Sequence, residues 1–97
     1  MYIIDIRVNE DVSTEQQEIL FSQHVAWFQK YFQAGNFLIV GPFTERERAG
    51  VIIAQTANRA ELDRILAEDS YYPDVAKYEI SEFVPKMVAE NIAQFKI

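Results

Sequence analysis

The chain holds a single histidine, His24, and its imidazole is the side chain best suited to proton transfer near neutral pH. On a helical projection, His24 lies in a broad apolar stripe that also contains Leu20, Phe21, Trp27, Phe28 and Tyr31. Such neighbours would exclude water from a general acid or base. The alternative is a half-buried core histidine bonded to a backbone carbonyl, and the residue pattern leaves both interpretations open.

Asp69 is the carboxylate that the sequence offers as a partner for this imidazole. It falls at the C-terminal end of a second predicted helix, on the apolar face that carries Leu62, Ile65 and Leu66. A carboxylate in that position is disfavoured by the helix dipole, and a protonated histidine nearby would compensate for this. If the two side chains meet, the carboxylate would fix the imidazole tautomer. Asp69 could instead simply form a turn with Ser70.

Composition argues against several other kinds of site. Cysteine is absent, which removes disulfides, thiolate nucleophiles and thiolate metal sites, and one histidine is too few for a histidine-rich metal site within one subunit. The net charge is −6, and the only concentration of basic residues, Arg46 and Arg48, alternates with Glu45 and Glu47. We therefore expect no metal, no cofactor and no nucleic-acid partner.

Other residues could contact a ligand, although each also has a purely structural interpretation. Arg46 and Arg48 could bind an anionic substrate, but alternating charges are typical of a solvated hairpin tip. Gly41-Pro42 could let a ligand approach the backbone closely, or could simply end a strand. Tyr71 and Tyr72 could flank a pocket or cover the edge of a sheet.

The elements that would position these residues follow the order β-α-β-β-α-β. Alternating apolar positions predict strands over residues 1–9 and 75–84, and short apolar runs predict strands over residues 37–43 and 51–55. Apolar positions at helical spacing predict helices over residues 14–34, 59–68 and 86–95. Ser13 or Thr14 and then Asn58 are suited to cap the first two helices, and Gly35 is suited to end the first. By its length the whole chain is one domain, with residues 86–97 as a C-terminal helical extension.

This order is that of the α+β ferredoxin-like fold. It gives a four-stranded antiparallel sheet with two helices on one face, and it leaves the other face open. The strand predicted over residues 37–43 is apolar on both of its faces, so the open face should be largely apolar and should need a cover. The simplest cover is the sheet of a second copy, which predicts a homodimer or a higher assembly built from it.

The pattern also matches that of a known family in several short segments. They are His24, the stretch Ala34–Pro42, Gly50, the stretch Glu68–Tyr71 and the final strand Tyr78–Phe83. Over roughly residues 1–85 the chain resembles the YCII-related family of the dimeric α/β-barrel superfamily. The resemblance implies that fold and a candidate active site formed by His24 and Asp69. The chain departs from the family pattern at Ser70, where proline is usual.

Together these observations predict a cofactor-free enzyme that acts on a small cyclic or aromatic molecule through an acid/base pair, as a lyase, isomerase or dehydrochlorinase. His24 and Asp69 would form the pair. The residues expected to contact the substrate are Gly41, Pro42, Ser70, Tyr71 and Tyr31. The alternatives are a non-catalytic ligand-binding module and a structural dimer whose histidine belongs to the core.

The sequence also indicates the cellular location of the chain. Its longest apolar runs, such as Phe37–Val40, are much shorter than the roughly 20 residues that a membrane-spanning helix needs. The first residues lack the basic leader and cleavage site of a signal peptide. We therefore expect a cytoplasmic protein that does not associate with membranes.

Overall fold

The predicted order of elements is confirmed by a computed structural model, which describes residues 1–97. The elements are β1 (Tyr2–Val8), α1 (Thr14–Gln33), β2 (Phe37–Pro42), β3 (Ala49–Ala54), α2 (Arg59–Leu66) and β4 (Ala76–Glu82). Both predicted caps are present, because the side chain of Ser13 accepts from the Gln16 amide and that of Asn58 accepts from the Glu61 amide.

The sheet has the strand order β2-β3-β1-β4, and all neighbouring strands are antiparallel. This is the ferredoxin-like arrangement that the sequence predicted. β1 lies at the centre of the sheet, so the first strand of the chain is paired along both of its edges. A bulge between Phe37 and Ile39 shifts the register of β2 against β3.

The core lies between one face of the sheet and the two helices. Alternate residues of β1 point into it, and Ile4 is fully buried. Trp27 of α1 and Leu62 of α2 belong to the same buried cluster, so both helices cover the same face of the sheet. Each fully buried side chain of this kind contributes about 2 kcal/mol to folding.

The opposite face of the sheet is apolar at one end and charged further along. Ile3, Ile53 and Ile39 are paired in a row across β1, β3 and β2. Ile3 and Ile39 remain exposed, at 39% and 45%. Further along β1 the same face carries Asp5 and Arg7, so the open face is less apolar than the sequence predicted.

The tail after β4 forms less helix than predicted. Instead of a helix over Lys86–Phe95, the structure has a single 3-10 turn over Ile92–Phe95, preceded by a segment without regular structure. The apolar side chains of the tail are exposed, including Met87 at 94% and Phe95 at 76%. A short helix that buries no apolar face lacks the packing that stabilises most helices in proteins.

Gly35 ends α1 as predicted, and its backbone is in the left-handed region with φ of +89°. The Asn36 amide donates to the Tyr31 carbonyl at 3.0 Å and the Gly35 amide donates to the Phe32 carbonyl at 3.2 Å. This is the hydrogen-bond pattern of a Schellman motif. The turn directs the chain from α1 into β2, and thereby places the wall of the cavity described below.

A comparison of two glycines tests this conformational requirement. An added Cβ would meet nothing within 4 Å at Gly35 or at Gly41, but only Gly35 has a positive φ. We expect Gly35→Ala to lower the free energy of unfolding by about 1 kcal/mol, and Gly41→Ala to leave it unchanged or raise it slightly. Urea denaturation followed by Trp27 fluorescence measures both. Equal stability of the two variants would contradict the prediction.

Candidate active site

His24 and Asp69 meet within one chain. His24 Nδ1 lies 2.7 Å from Asp69 Oδ1. The Asp69 side chain is completely buried, whereas 14% of the His24 side chain remains exposed. The imidazole therefore connects a buried carboxylate to a surface that a small molecule can reach.

The Asp69 carboxylate accepts hydrogen bonds from three parts of the chain. His24 and the backbone N–H of Tyr71, at 3.3 Å, bind Oδ1, and the hydroxyl of Tyr78 donates to Oδ2 at 2.6 Å. An ionised carboxylate only accepts hydrogen bonds, so His24 carries its proton on Nδ1. The lone pair of the neutral imidazole is then on Nε2, the atom that would receive a substrate proton.

Aromatic rings fix the plane of the imidazole. The ring of Tyr71 stacks on His24 with 4.1 Å between centroids and 13° between planes. Phe28 contacts the imidazole edge-on at 5.5 Å, and Trp27 lies at 5.6 Å. With the ring held on several sides, the direction of Nε2 is set before any ligand binds.

Two further hydrogen bonds tie α1 to the end of α2 on either side of His24. The indole N–H of Trp27 donates to the Ile65 carbonyl at 2.8 Å, and the Ser70 hydroxyl donates to the Leu20 carbonyl at 2.9 Å. Leu20 and Trp27 lie about one helical turn before and after His24. The contacts therefore hold the imidazole in register with the loop that carries Asp69.

A cavity of about 860 Å³ opens beside the imidazole, between α1 and the β2–β3 hairpin. From α1 it is lined by Gln17, Phe21, His24, Phe28, Gln29 and Phe32. Tyr71 and the hairpin, including Gly41, Pro42, Arg46 and Arg48, complete its wall. Most of the cavity surface is apolar, and the imidazole is one of several polar groups that line it.

The predicted substrate contacts divide into two groups. Gly41, Pro42 and Tyr71 line the cavity, as expected of residues that touch a ligand. Ser70 does not line it, because its hydroxyl is used to hold the loop against α1. Tyr31 does not line it either, because its ring packs against Phe37 of the core and its hydroxyl is hydrogen-bonded to Glu68. We therefore leave Ser70 and Tyr31 out of the candidate binding site.

Sequence reasoning missed Tyr78 and Gln17. Tyr78 lies within the strand predicted over residues 75–84, and its pairing with Ile6 places it on the helix-covered face beside Asp69. The side-chain amide of Gln17 donates to the Tyr71 hydroxyl oxygen at 3.0 Å. A polar tip at a core-facing strand position was the available signal for Tyr78.

The two tyrosines are neutral hydroxyl groups at physiological pH. Burial raises the pKa of Tyr78 far above its usual value, and the hydrogen bond to Asp69 acts in the same direction. Burial also raises the pKa of Tyr71. The site therefore holds two O–H donors that stay protonated.

No group of three or more His, Asp or Glu side chains could hold a metal ion, and no helix is both long and apolar enough to cross a membrane.

The contribution of Tyr78 can be measured against its neighbour Tyr72. Tyr78→Phe removes a donor to a buried charge, and we expect the free energy of unfolding to fall by about 2 kcal/mol. Tyr72→Phe removes a hydroxyl from a residue that is 42% exposed and should change stability by less than about 0.5 kcal/mol. Chemical denaturation of both variants gives the comparison. Equal stabilities would mean that the Tyr78 bond contributes little to holding Asp69.

The chain is similar to known proteins in both sequence and fold. The model of the YCII-related domain matches residues 1–84. Among solved structures, the fold is similar to 5-chloro-2-hydroxyhydroquinone dehydrochlorinase from Burkholderia phenoliruptrix AC1100, in complex with 2,5-dihydroxybenzoquinone. The TM-score is 0.67 at 11% sequence identity, with 87% of this chain and 94% of that chain covered, which shows the fold alone.

No protein with curated annotation matches the chain. The family model nevertheless spans both helices and all four strands, and it includes His24 and Asp69. The resemblance seen in the sequence is thereby confirmed, and the chain belongs to the YCII-related family.

Proposed function

We propose that this protein is a small-molecule enzyme that needs no cofactor and uses His24 as its general acid and base. The observation that carries the proposal is the 2.7 Å contact between His24 Nδ1 and the buried Asp69 carboxylate, at the wall of a cavity. A histidine oriented in this way supports proton transfer with its other nitrogen. The reaction would be of the lyase, isomerase or dehydrochlorinase type.

In the proposed reaction, Nε2 of His24 removes a proton from a carbon of the bound substrate. The imidazolium that forms is stabilised by the Asp69 carboxylate, which remains ionised throughout. The electron pair of the broken C–H bond then forms a double bond. In an elimination, a leaving group such as chloride departs with its own bonding electrons, and in an isomerisation the imidazolium returns the proton at another carbon.

The walls of the cavity favour a cyclic or aromatic substrate. Phe21, Phe28 and Phe32 present apolar rings along α1, and the Gly41-Pro42 step forms part of the opposite wall. Flat rings pack well on such surfaces. The structural neighbour acts on a ring compound according to its description, and this is consistent with the same substrate class here.

The reaction class can be tested without knowing the natural substrate. Lactones, cyclic ketones and chlorinated hydroxyquinols would be incubated with the protein in D₂O, and deuterium incorporation and chloride release would be followed. We expect one class to react, with the rate reduced roughly 10²–10⁴-fold in His24→Gln. A His24→Gln variant that is folded and as active as the wild type would contradict the proposal. Saturable binding without turnover would favour the binding module instead.

The role of Asp69 predicts a tautomer change that can be observed directly. We expect ¹⁵N NMR at about pH 8.5, where a free imidazole is neutral, to show the proton of His24 on Nδ1. In Asp69→Asn the amide can donate to Nδ1, which would move the proton to Nε2 and lower the rate on the order of a hundredfold or more. Because the chain has one histidine, the signals need no assignment. An unchanged tautomer in the variant would contradict this role.

We also propose that the protein works as a cytoplasmic homodimer that covers the row of Ile3, Ile53 and Ile39. A charge in this row should weaken the assembly because it would have to be buried. We expect Ile39→Glu to shift the protein towards monomer, whereas Ile19→Glu, on a 69%-exposed position of α1, should not. Light scattering coupled to size-exclusion chromatography measures the mass. A monomeric wild type would refute the dimer.

A further inference from the structure

Arg46 and Arg48 lie on the same hairpin tip but have different surroundings. Arg46 is neutralised, because its guanidinium lies 2.9 Å from the Asp5 carboxylate and sits over the ring of Phe43 at 3.8 Å. Arg48 has no carboxylate within 4 Å. Both arginines line the cavity, and Arg48 brings to it a positive charge that is not part of an ion pair.

Arg48 is nevertheless held firmly. Its guanidinium donates to the Val12 carbonyl at 2.7 Å and to the Asn9 carbonyl at 3.1 Å. These acceptors fix the direction of the side chain but carry no net charge. The remaining N–H groups of the guanidinium keep their capacity to bind a planar oxyanion.

The backbone of Arg48 is strained, with φ of +53°. It is the only residue other than glycine with a positive φ, a conformation that costs an L-residue about 1–2 kcal/mol. The Arg48 carbonyl accepts from the Val8 amide at 3.0 Å, so the strained residue is tied to the end of β1. Glycine would relieve the strain, and an arginine at this position points to a use for its side chain.

We propose that Arg48 is the anion-binding group of the cavity, and that the substrate is a small ring compound bearing a planar oxyanion such as a carboxylate or an enolate. Tyr71 supplies a second donor, because its oxygen accepts from Gln17 and its own proton is free. Glu45 and Glu47 also line the cavity, but both are exposed at its rim, where water screens their charge. This inference rests on the proposed function for the use of the cavity.

Arg48 would also stabilise the negative charge that develops during the reaction. When His24 removes a proton from carbon, negative charge develops on the atoms next to that carbon. A fixed guanidinium in a cavity shielded from water stabilises such charge more strongly than water does. Arg48 would therefore bind the substrate and lower the barrier to the same proton transfer.

Benzoate and benzamide are matched probes, since they share shape and differ in charge. We expect wild-type protein to bind benzoate about tenfold or more tightly than benzamide in isothermal titration calorimetry. Arg48→Gln should abolish this preference, because it keeps one N–H donor for the carbonyls and removes the charge. Arg46→Gln removes the same charge from the same hairpin and should retain the preference, since Arg46 is already paired with Asp5.

Two outcomes would overturn the proposal. In the first, the wild-type protein does not bind benzoate or does not prefer it to benzamide. In the second, Arg48→Gln prefers benzoate as strongly as the wild type does. If Arg48→Gln fails to fold, Arg48→Gly removes the guanidinium and relieves the positive φ, and it should lose the preference equally. The assay needs no turnover, so it is separate from the test of His24 as a base. Loss of activity in His24→Gln with an intact preference for benzoate in the wild type would support both proposals.

Discussion

The buried carboxylate of Asp69 is the constraint on which the rest of the site depends. Removing an ionised carboxylate from water costs on the order of several kcal/mol unless hydrogen bonds replace its hydration. Here the donors come from His24 on α1, from the Tyr71 backbone and from Tyr78 on β4. Because each donor belongs to a different segment, the charge is stabilised only when the helix, the loop and the strand are all in place. The energetics of the fold and the geometry of the site are therefore coupled.

This coupling explains why the site is built where α1 meets the end of α2. Trp27 and Ser70 use their polar atoms on backbone carbonyls of the facing segments rather than on a ligand. Both are structural in that sense, yet they determine how far the imidazole is from the carboxylate. The cavity beside them is lined by other residues, chiefly the phenylalanines of α1 and the β2–β3 hairpin.

The sequence could predict what depends on periodicity and local chemistry. The six elements, the caps at Ser13 and Asn58, the glycine that ends α1 and the helix face of His24 all follow from residue types at regular spacing. Asp69 was predicted at the end of the second helix, and it lies in the loop just after that helix, which ends at Leu66. The exposed tail and the corrected role of Tyr31 did not follow, because each depends on long-range packing. A helix forms over the tail only if a surface receives it, and nothing local to the tail indicates that none does.

Electrostatics give Arg48 a particular weight in an acidic chain. The net charge of −6 repels anions at long range, but screening at about 0.1 M salt confines such forces to roughly 10 Å. Inside the cavity the nearest charges therefore dominate, and beyond the exposed Glu45 and Glu47 and the paired Arg46 these are the guanidinium of Arg48 and the dyad of His24 with Asp69. The dyad with a neutral imidazole has a net charge of −1, and this carboxylate is buried behind the imidazole rather than facing a ligand. A positive group at this position makes an acidic protein compatible with an anionic substrate.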